Sequence, residues 1–428
     1  MLTPNAYRPR LIDDALTDLL DAFGAVCVQG PKWCGKTWTS LHHAKSVTYL
    51  SDPTGNFSNR ELAKVDPQLV LKGEQPHLVD EWQEVPPIWD AVRFSVDKTG
   101  AKGQYLLTGS FTPQRKGISH SGAGRIATIN MHTMSLFETG DSSGKVSLRD
   151  LFEGPLSPTP TGEVSLEDLV HFCTRGGWPE NVPANEKTAR QLPKQYLQSI
   201  VEDDTSRIDG VKRNKDKLWA LLHSLGRNVA TTVSNRTLLA DMEKHQDTKA
   251  DENTLAEYLD IFNRLFLVWQ QSSFHPQLRS SRRVLRSPKL HFADPSLAIG
   301  ALDVTPSALI GDLQTFGYIF ESLVAHDLLI YASANEARLF HFRDAKGNEI
   351  DSIIELNDGR WGGFEVKLGA NQIDDAAANL LRMKDIFARE SSGKNGVPGL
   401  LCVICGTSNA AYTREDGVTV VPITALRP

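Results

Sequence analysis

The segment GPKWCGKT, Gly30 to Thr37, sets two glycines, a lysine and a hydroxyl at the GxxxxGK[ST] spacing. Each fixed position answers a demand of a bound polyphosphate. Gly30 and Gly35 let successive backbone N–H groups turn inward toward phosphate oxygens, and Pro31, Lys32, Trp33 and Cys34 complete the loop. Lys36 supplies a mobile positive charge for the β- and γ-phosphates. Thr37 offers an oxygen to Mg2+ at the start of the following helix. ATP with Mg2+ is therefore the expected ligand. The flanking AVCVQG reads as a buried strand and TWTSLHHA as a helix start, the setting this loop requires. Cys34, beside Lys36 and a helix N-terminus, is a candidate for a lowered thiol pKa and sensitivity to oxidation.

Hydrolysis needs a metal-holding acid and a base for water. In HLVDEWQ, Leu78 and Val79 end an apolar run and hand over to Asp80 and Glu81. An acid at a strand's carboxyl end can hold Mg2+, and an adjacent glutamate can orient and deprotonate water. The same pair also reads as helix-capping acids. The strand QYLLTGS ends in Thr108 and Ser110, one of which would sense the γ-phosphate. Gly122 and Gly124 break a helix before the strand IATINMH, leaving Arg125 at the junction. Arg125 either reaches a neighbouring subunit's nucleotide in a homo-oligomer or caps a helix C-terminus.

Near the C-terminus, GNEIDSIIELNDGRWGGFEVKLG reads as a hairpin. With Asn357, Asp358 and Gly359 as the loop, Leu356 pairs with Arg360 and Ser352 with Phe364. Asp351 then faces Glu365, and one face of the hairpin stays apolar. Lys367 shares the face of Glu365. Opposed carboxylates repel unless a cation lies between them. The arrangement is either a metal-holding pair or a charged sheet face that Lys367 neutralises.

A second cluster, between the strand candidates FLVWQQSSF and KLHFADP, contains Arg279, Arg282, Arg283, Arg286 and Lys289 without an acid. These cations would contact DNA phosphates from a wing, or belong to a solvated loop beside an acidic neighbour. Cys402 and Cys405, in the strand GLLCVICG, would face opposite ways and cannot easily share a metal.

The elements that must position these groups are spread over 428 residues, enough for several cores. A balance of 46 basic and 52 acidic residues gives −6, so contact with nucleic acid would be local. No run approaches a membrane span, and five scattered cysteines suit a reducing compartment; a cytoplasmic protein without membrane partners is expected. The stretch at 153–169, rich in Pro, Gly, Ser and Thr, reads as a linker before helices, with Ser165 and Asp168 as a capping box. The helical pair and two strands from about 235 to 294 read as a winged helix.

Together, GPKWCGKT, HLVDEWQ, LTGS, SGAGRI, RGGWPE and SPKLHFADPSLA resemble the prokaryotic AAA-type ATP-binding proteins that carry a C-terminal domain of unknown function. The resemblance spans essentially the whole chain and implies an ASCE-type ATPase core. Asp351 followed by Glu365-x-Lys367 resembles the PD-(D/E)xK nuclease motif, in which the acids hold Mg2+ or Mn2+ and the lysine positions water. That resemblance adds Glu321, on the preceding helix, as a further metal-holding acid. The expected fold class is α/β. The expected order is a P-loop core with a parallel sheet over 1–140, a linker and helical lid over 141–225, a winged-helix-like module over 226–300 and a nuclease-like α/β domain over 301–428. The leading functional expectation is an ATP-dependent enzyme acting at DNA. A nucleotide-controlled regulatory protein with a silent nuclease-like domain is the alternative, and a P-loop kinase the third.

Overall fold

The computed structural model describes residues 2–112, 119–276, 287–390 and 396–428, and the chain divides into two compact units. The first comprises Met1–Thr133, Glu202–Arg213 and Leu259–Leu267; the second comprises Met134–Val201, Asn214–Tyr258 and Val268–Pro428.

The first unit is built on a five-stranded parallel sheet. Its strands are β1 (Ala25–Gln29), β2 (Ser46–Tyr49), β3 (His77–Asp80), β4 (Tyr105–Gly109) and β5 (Ile126–Asn130), in the order β2-β3-β4-β1-β5. Parallel strands buried on both faces need apolar residues at odd and even positions alike. Ala25, Cys27, Val79 and Leu107 enter one core, and Val26, Val28, Leu78 and Leu106 enter the other. Helix α1 (Asp13–Ala22) brings Leu16 and Leu20 to the second core, while α3 (Ile88–Thr99) brings Ile88, Val92 and Val96 to the first. Both sets follow the four-residue repeat of a helix face. Between β1 and α2 (Lys36–His43) lies the Gly30–Gly35 loop. The register sets Gln29 beside Gly109 and Tyr49 beside Asp80, gathering the carboxyl ends of four strands at one sheet edge.

The second unit joins helical segments to a seven-stranded mixed sheet. In chain order its further strands are β6 (Val146–Ser147), β7 (Thr159–Pro160), β8 (Val268–Gln271), β9 (Lys289–Phe292), β10 (Arg338–Arg343), β11 (Glu349–Glu355), β12 (Trp361–Lys367), β13 (Leu400–Cys405), β14 (Ala410–Thr413), β15 (Thr419–Pro422) and β16 (Leu426–Arg427). The large sheet runs β10-β11-β12-β13-β15-β14-β7. β11 and β12 pair Ser352 with Phe364 and Glu355 with Trp361, and Leu356 and Arg360 close the three-residue loop, as the spacing predicts. Helix Ile373–Glu390 packs Ala377, Leu380, Met383 and Phe387 onto Ile350, Ile353, Trp361 and Val403. Cys405 joins this core and Cys402 does not; both thiols are buried.

The 153–169 stretch departs from its reading as a linker. Thr159 and Pro160 form the edge strand β7 against Ala411 and Ala410. A proline lacks a ladder donor but is tolerated at a sheet edge, so composition alone misleads here. The Ser165–Asp168 capping box is present. The helices Asn235–Gln246 and Glu252–Arg264 and the antiparallel pair β8–β9 also form where the pattern places them.

Two sequence segments without an assigned chemistry, RGGWPE and FADPSLA, interlock. The buried Asp294 carboxylate accepts the Gly177 N–H at 2.8 Å and the Ser296 N–H at 2.9 Å, and the Trp178 indole donates to Ser296 Oγ at 3.0 Å. A Cβ on Gly177 would lie 1.9 Å from the Met134 carbonyl oxygen. Gly177→Ala is therefore expected to lower unfolding stability by about 2–3 kcal/mol in urea titration. Gly154→Ala, where an added Cβ meets nothing within 4 Å, is expected to change it by less than about 0.5 kcal/mol.

Candidate functional site

At the carboxyl edge of the parallel sheet, one oxygen organises the site. Asp80 Oδ1 accepts the Thr37 hydroxyl at 2.8 Å and the Thr108 hydroxyl at 2.7 Å. Asp80 ends β3, Thr108 lies on the neighbouring β4, and Thr37 opens the first turn of α2. Burial, offset in part by these two hydroxyls, pushes the Asp80 carboxyl above its ordinary range. A hydroxyl and a carboxylate side by side are the oxygen donors a hard divalent cation takes, so Thr37 and Asp80 fit the Mg2+ expected there.

Glu81 adopts φ 60° and ψ 47°, a left-handed conformation unusual for a residue with a side chain. Such geometry costs about 1–3 kcal/mol and persists only where its surroundings hold it. Here its N–H donates to Thr108 Oγ1 at 3.0 Å, and Glu81 Oε2 accepts the Ser110 hydroxyl at 2.9 Å and the Gln83 amide. Gln83 also reaches Ser110 Oγ at 3.3 Å. Glu81 caps no helix through its side chain, so the helix-capping alternative does not describe it. Asp80, Glu81 and Ser110 thus stand together, as the sequence places them, with Thr108 bridging the two acids.

The loop itself is held from both sides. A Cβ on Gly30 would lie 2.2 Å from the Met131 carbonyl oxygen, and Gly35 turns into α2 at φ 106°. The buried Lys36 ammonium donates to the carbonyls of Gly30 at 3.0 Å and Pro31 at 2.8 Å. Lys32 pairs with Asp204, while Trp33 is 54% exposed. Cys34 does not match its reading as a reactive thiol: it is fully buried, with Sγ toward the Met131 carbonyl. Its own carbonyl accepts Arg10 Nη1 at 2.8 Å, and Arg10 Nη2 donates to the His132 carbonyl at 2.9 Å. Arg10, Gln83 and Asp204 were not signalled by sequence spacing, because their partners lie on other elements or in a neighbouring turn. At the other end of α2, Asp13, His42 and His43 converge, with Asp13 held by Tyr7 at 2.7 Å.

Arg125 stands elsewhere. It precedes the first residue of β5, which pairs with the first residue of β1, so it lies at the amino edge of the sheet. Five strand residues, roughly 16 Å at the usual rise, separate that edge from the carboxyl edge. Its Nε donates to Asp97 at 2.6 Å, near the end of α3, and its side chain is 49% exposed. It therefore joins no part of its own chain's phosphate-loop constellation, and it meets a helix-end carboxylate instead of capping helix carbonyls.

In the second unit, Asp351, Glu365 and Lys367 are close neighbours. Lys367 Nζ lies 3.1 Å from Glu365 Oε2, the Val366 N–H donates to Asp351 Oδ2 at 2.9 Å, and Asn379 donates to Glu365 Oε1 at 2.9 Å. Burial and the Asp351 charge push Glu365 up to about 7. The same two causes push Glu321 up to about 8. The cation among them is Lys289: its Nζ lies 2.7 Å from Glu321, 3.0 Å from Glu349 and 3.6 Å from Asp351. Burial alone would lower the Lys289 pKa, but the three carboxylates outweigh it and hold it above the ordinary lysine range.

Lys289 corrects the reading of the basic segment. Its side chain is 1% exposed and turned inward from β9, so it offers no phosphate contact at the surface. The physical reason is the paired β8 strand and the carboxylates beneath it, which sequence proximity to four arginines conceals. Arg279, Arg282, Arg283 and Arg286 lie outside the described residues.

Three stretches of the chain match known family models. Residues 22–140 match an AAA domain, residues 166–308 match a domain of unknown function (DUF8612), and residues 316–426 match another (DUF4143). Uncharacterized proteins of Mycobacterium bovis (Mb2031c) and Mycobacterium tuberculosis (Rv2008c) are each 25% identical over 349 residues, covering 80% of this chain and 70% of theirs. A solved structure, the Walker-type ATPase PABY2304 of Pyrococcus abyssi, aligns over 71% of this chain and all of its own with 12% identity and a TM-score of 0.41. No helix among the described residues is long and apolar enough to cross a membrane. The phosphate loop and the parallel sheet that bears it both lie within the stretch, 22–140, that matches the AAA domain.

Thr108 holds both acids through one hydroxyl, and Thr108→Val removes that hydroxyl at nearly constant volume. ATP affinity by calorimetry is expected to stay within about threefold, and phosphate release to slow by about tenfold or more. Unchanged turnover would remove Thr108 as a positioning residue.

Proposed function

We propose that the chain is a Mg2+-dependent ATPase whose reaction runs at the carboxyl edge of its parallel sheet. The observation that carries this reading is the placement of Glu81: a carboxylate beside the Asp80–Thr37 pair, fixed by Ser110 and Gln83 in a left-handed turn. Backbone N–H groups of the loop after Pro31 and the Lys36 ammonium bind the phosphates, with Lys36 exchanging its carbonyl partners for phosphate oxygens. Thr37 and Asp80 would hold Mg2+, which would neutralise phosphate charge when bound. Glu81 orients the attacking water and receives its proton, and Ser110 supports that carboxylate.

A kinase reading has less support, because the acid beside the metal-holding pair suits water activation. The DNA reading of the basic segment loses Lys289, the one of its five cations that lies among the described residues. The described cation of the basic segment, Lys289, faces inward, and a phosphate-binding face needs outward cations.

Two substitutions separate binding from chemistry. Lys36→Ala is expected to weaken ATP binding at least about hundredfold, since it removes a charge-assisted contact to the terminal phosphates. Glu81→Gln is expected to keep ATP affinity within about threefold while slowing phosphate release by about a hundredfold or more. Equal ATP affinity of Lys36→Ala and the unaltered protein, measured by calorimetry, would overturn the site. Undiminished turnover by Glu81→Gln would overturn the role of the base.

A further inference from the structure

The carboxylates of the C-terminal sheet pose a problem of charge that the ATPase reading leaves untouched. Glu321, from the helix Leu313–Ala334, and Glu349 and Asp351, from β11, converge within the second unit, with Glu365 on β12 close by. Glu321, Asp351 and Glu365 are also the acids that the nuclease-like motif assigns to a divalent metal.

Those residues do not fit a metal in this chain. A Mg2+ or Mn2+ ion takes carboxylate oxygens at about 2.0–2.2 Å and must lie at their point of convergence. That position belongs to Lys289, whose Nζ touches Glu321 at 2.7 Å and Glu349 at 3.0 Å and lies 3.6 Å from Asp351. Oxygens of Asp351 and Glu365 are engaged elsewhere as well. Asp351 Oδ2 accepts the Val366 N–H, and Glu365 is held by Lys367 and Asn379. Lys289 is not a surface side chain that happens to fall inward: it is 1% exposed, at the start of a strand whose pairing to β8 fixes its direction. Nor is its layer of the structure loosely built. Two residues on, His291 meets Ser322 at 3.2 Å and Gln271 at 3.1 Å, and Gln271 donates in turn to Ser352 Oγ at 3.1 Å and to the Phe340 carbonyl at 2.8 Å.

We infer that the Lys289 ammonium is a built-in cation occupying the place of a divalent metal among Glu321, Glu349 and Asp351, and that the C-terminal unit is a non-hydrolytic module. Two cations cannot share so small a nest of oxygens without strong repulsion, so metal entry requires the lysine to leave. A buried ammonium with three carboxylate partners is costly to displace, because its removal leaves unpaired buried charge. The same chemistry makes a prediction of gain: deleting the ammonium should uncover a divalent-cation site.

The test uses the full chain without nucleotide and Mn2+ as the probe, with binding followed by calorimetry and by electron paramagnetic resonance of free Mn2+. In the unaltered protein, Asp351→Asn is expected to leave Mn2+ binding unchanged. Lys289→Ala is expected to gain a Mn2+ site at least about tenfold tighter than any the unaltered protein shows, and Lys289→Ala with Asp351→Asn to lose it. Lys289→Arg, which keeps a cation, should gain nothing. The inference is overturned if the unaltered protein binds Mn2+ in a way that Asp351→Asn abolishes, or if folded Lys289→Ala gains no site. Should Lys289→Ala fail to fold without metal, recovery of its folded fraction by Mn2+ supports the inference, and the Asp351→Asn comparison in the lysine-containing protein still decides it.

Discussion

One carboxylate oxygen, Asp80 Oδ1, sets the geometry of the nucleotide site, because hydroxyls from two other elements donate to it. That convergence depends on the strand order. With β4 inserted between β1 and β3, the strand that leads into the phosphate loop and the strand that ends in the two acids are both neighbours of Thr108. All strands are parallel, so each delivers its carboxyl end, and the residue just past it, to the same edge. A site at the carboxyl edge of an open α/β sheet is the general consequence of that arrangement. The apolar alternation that fills the two cores is thus also what fixes the distance between Thr37, Asp80 and Thr108.

The two carboxylate sites in the chain solve opposite problems. In the first unit, Asp80 and Glu81 are adjacent and are held by neutral hydroxyl and amide donors, Thr37, Thr108, Ser110 and Gln83. Neutral donors orient the acids without cancelling their charge, which leaves room for a cation and a water. In the second unit, acids of the same kind are met by ammonium groups, Lys289 and Lys367. There part of the charge is already answered within the fold. The presence of acids at motif spacing is therefore a weak guide to metal chemistry; what distinguishes the two sites is whether their partners are charged.

Legibility in the sequence followed the range of the interactions. The phosphate loop is a contiguous motif, so its residues and the flanking strand and helix could be read directly. The β11–β12 register was readable because a three-residue loop and one apolar face together exclude a slip of one residue. Asp80 and Glu81 were readable from the end of an apolar run. Arg125 was readable as a junction but not as lying at the amino edge of the sheet, since that requires the direction of β5 relative to β1. Lys289 was the least legible: its partners lie 32, 60 and 62 positions away, and four arginines nearby in sequence suggest a surface. Thr159 and Pro160 were hidden in the same way, because their strand partner lies some 250 residues on and a loop-like composition masks an edge strand.

The most direct test of the account is a crystal structure of the chain with Mg2+, ADP and aluminium fluoride, which mimics the phosphoryl group in transfer. The account requires Lys36 Nζ to have left the carbonyls of Gly30 and Pro31 for phosphate or fluoride, and Thr37 Oγ1 to lie about 2.0–2.1 Å from the metal. It also requires a Glu81 carboxylate oxygen within about 2.6–3.2 Å of the water in line with the aluminium. Nucleotide bound away from residues 30–37, or a Glu81 carboxylate turned from that water and bonded only to Ser110 and Gln83, would contradict it.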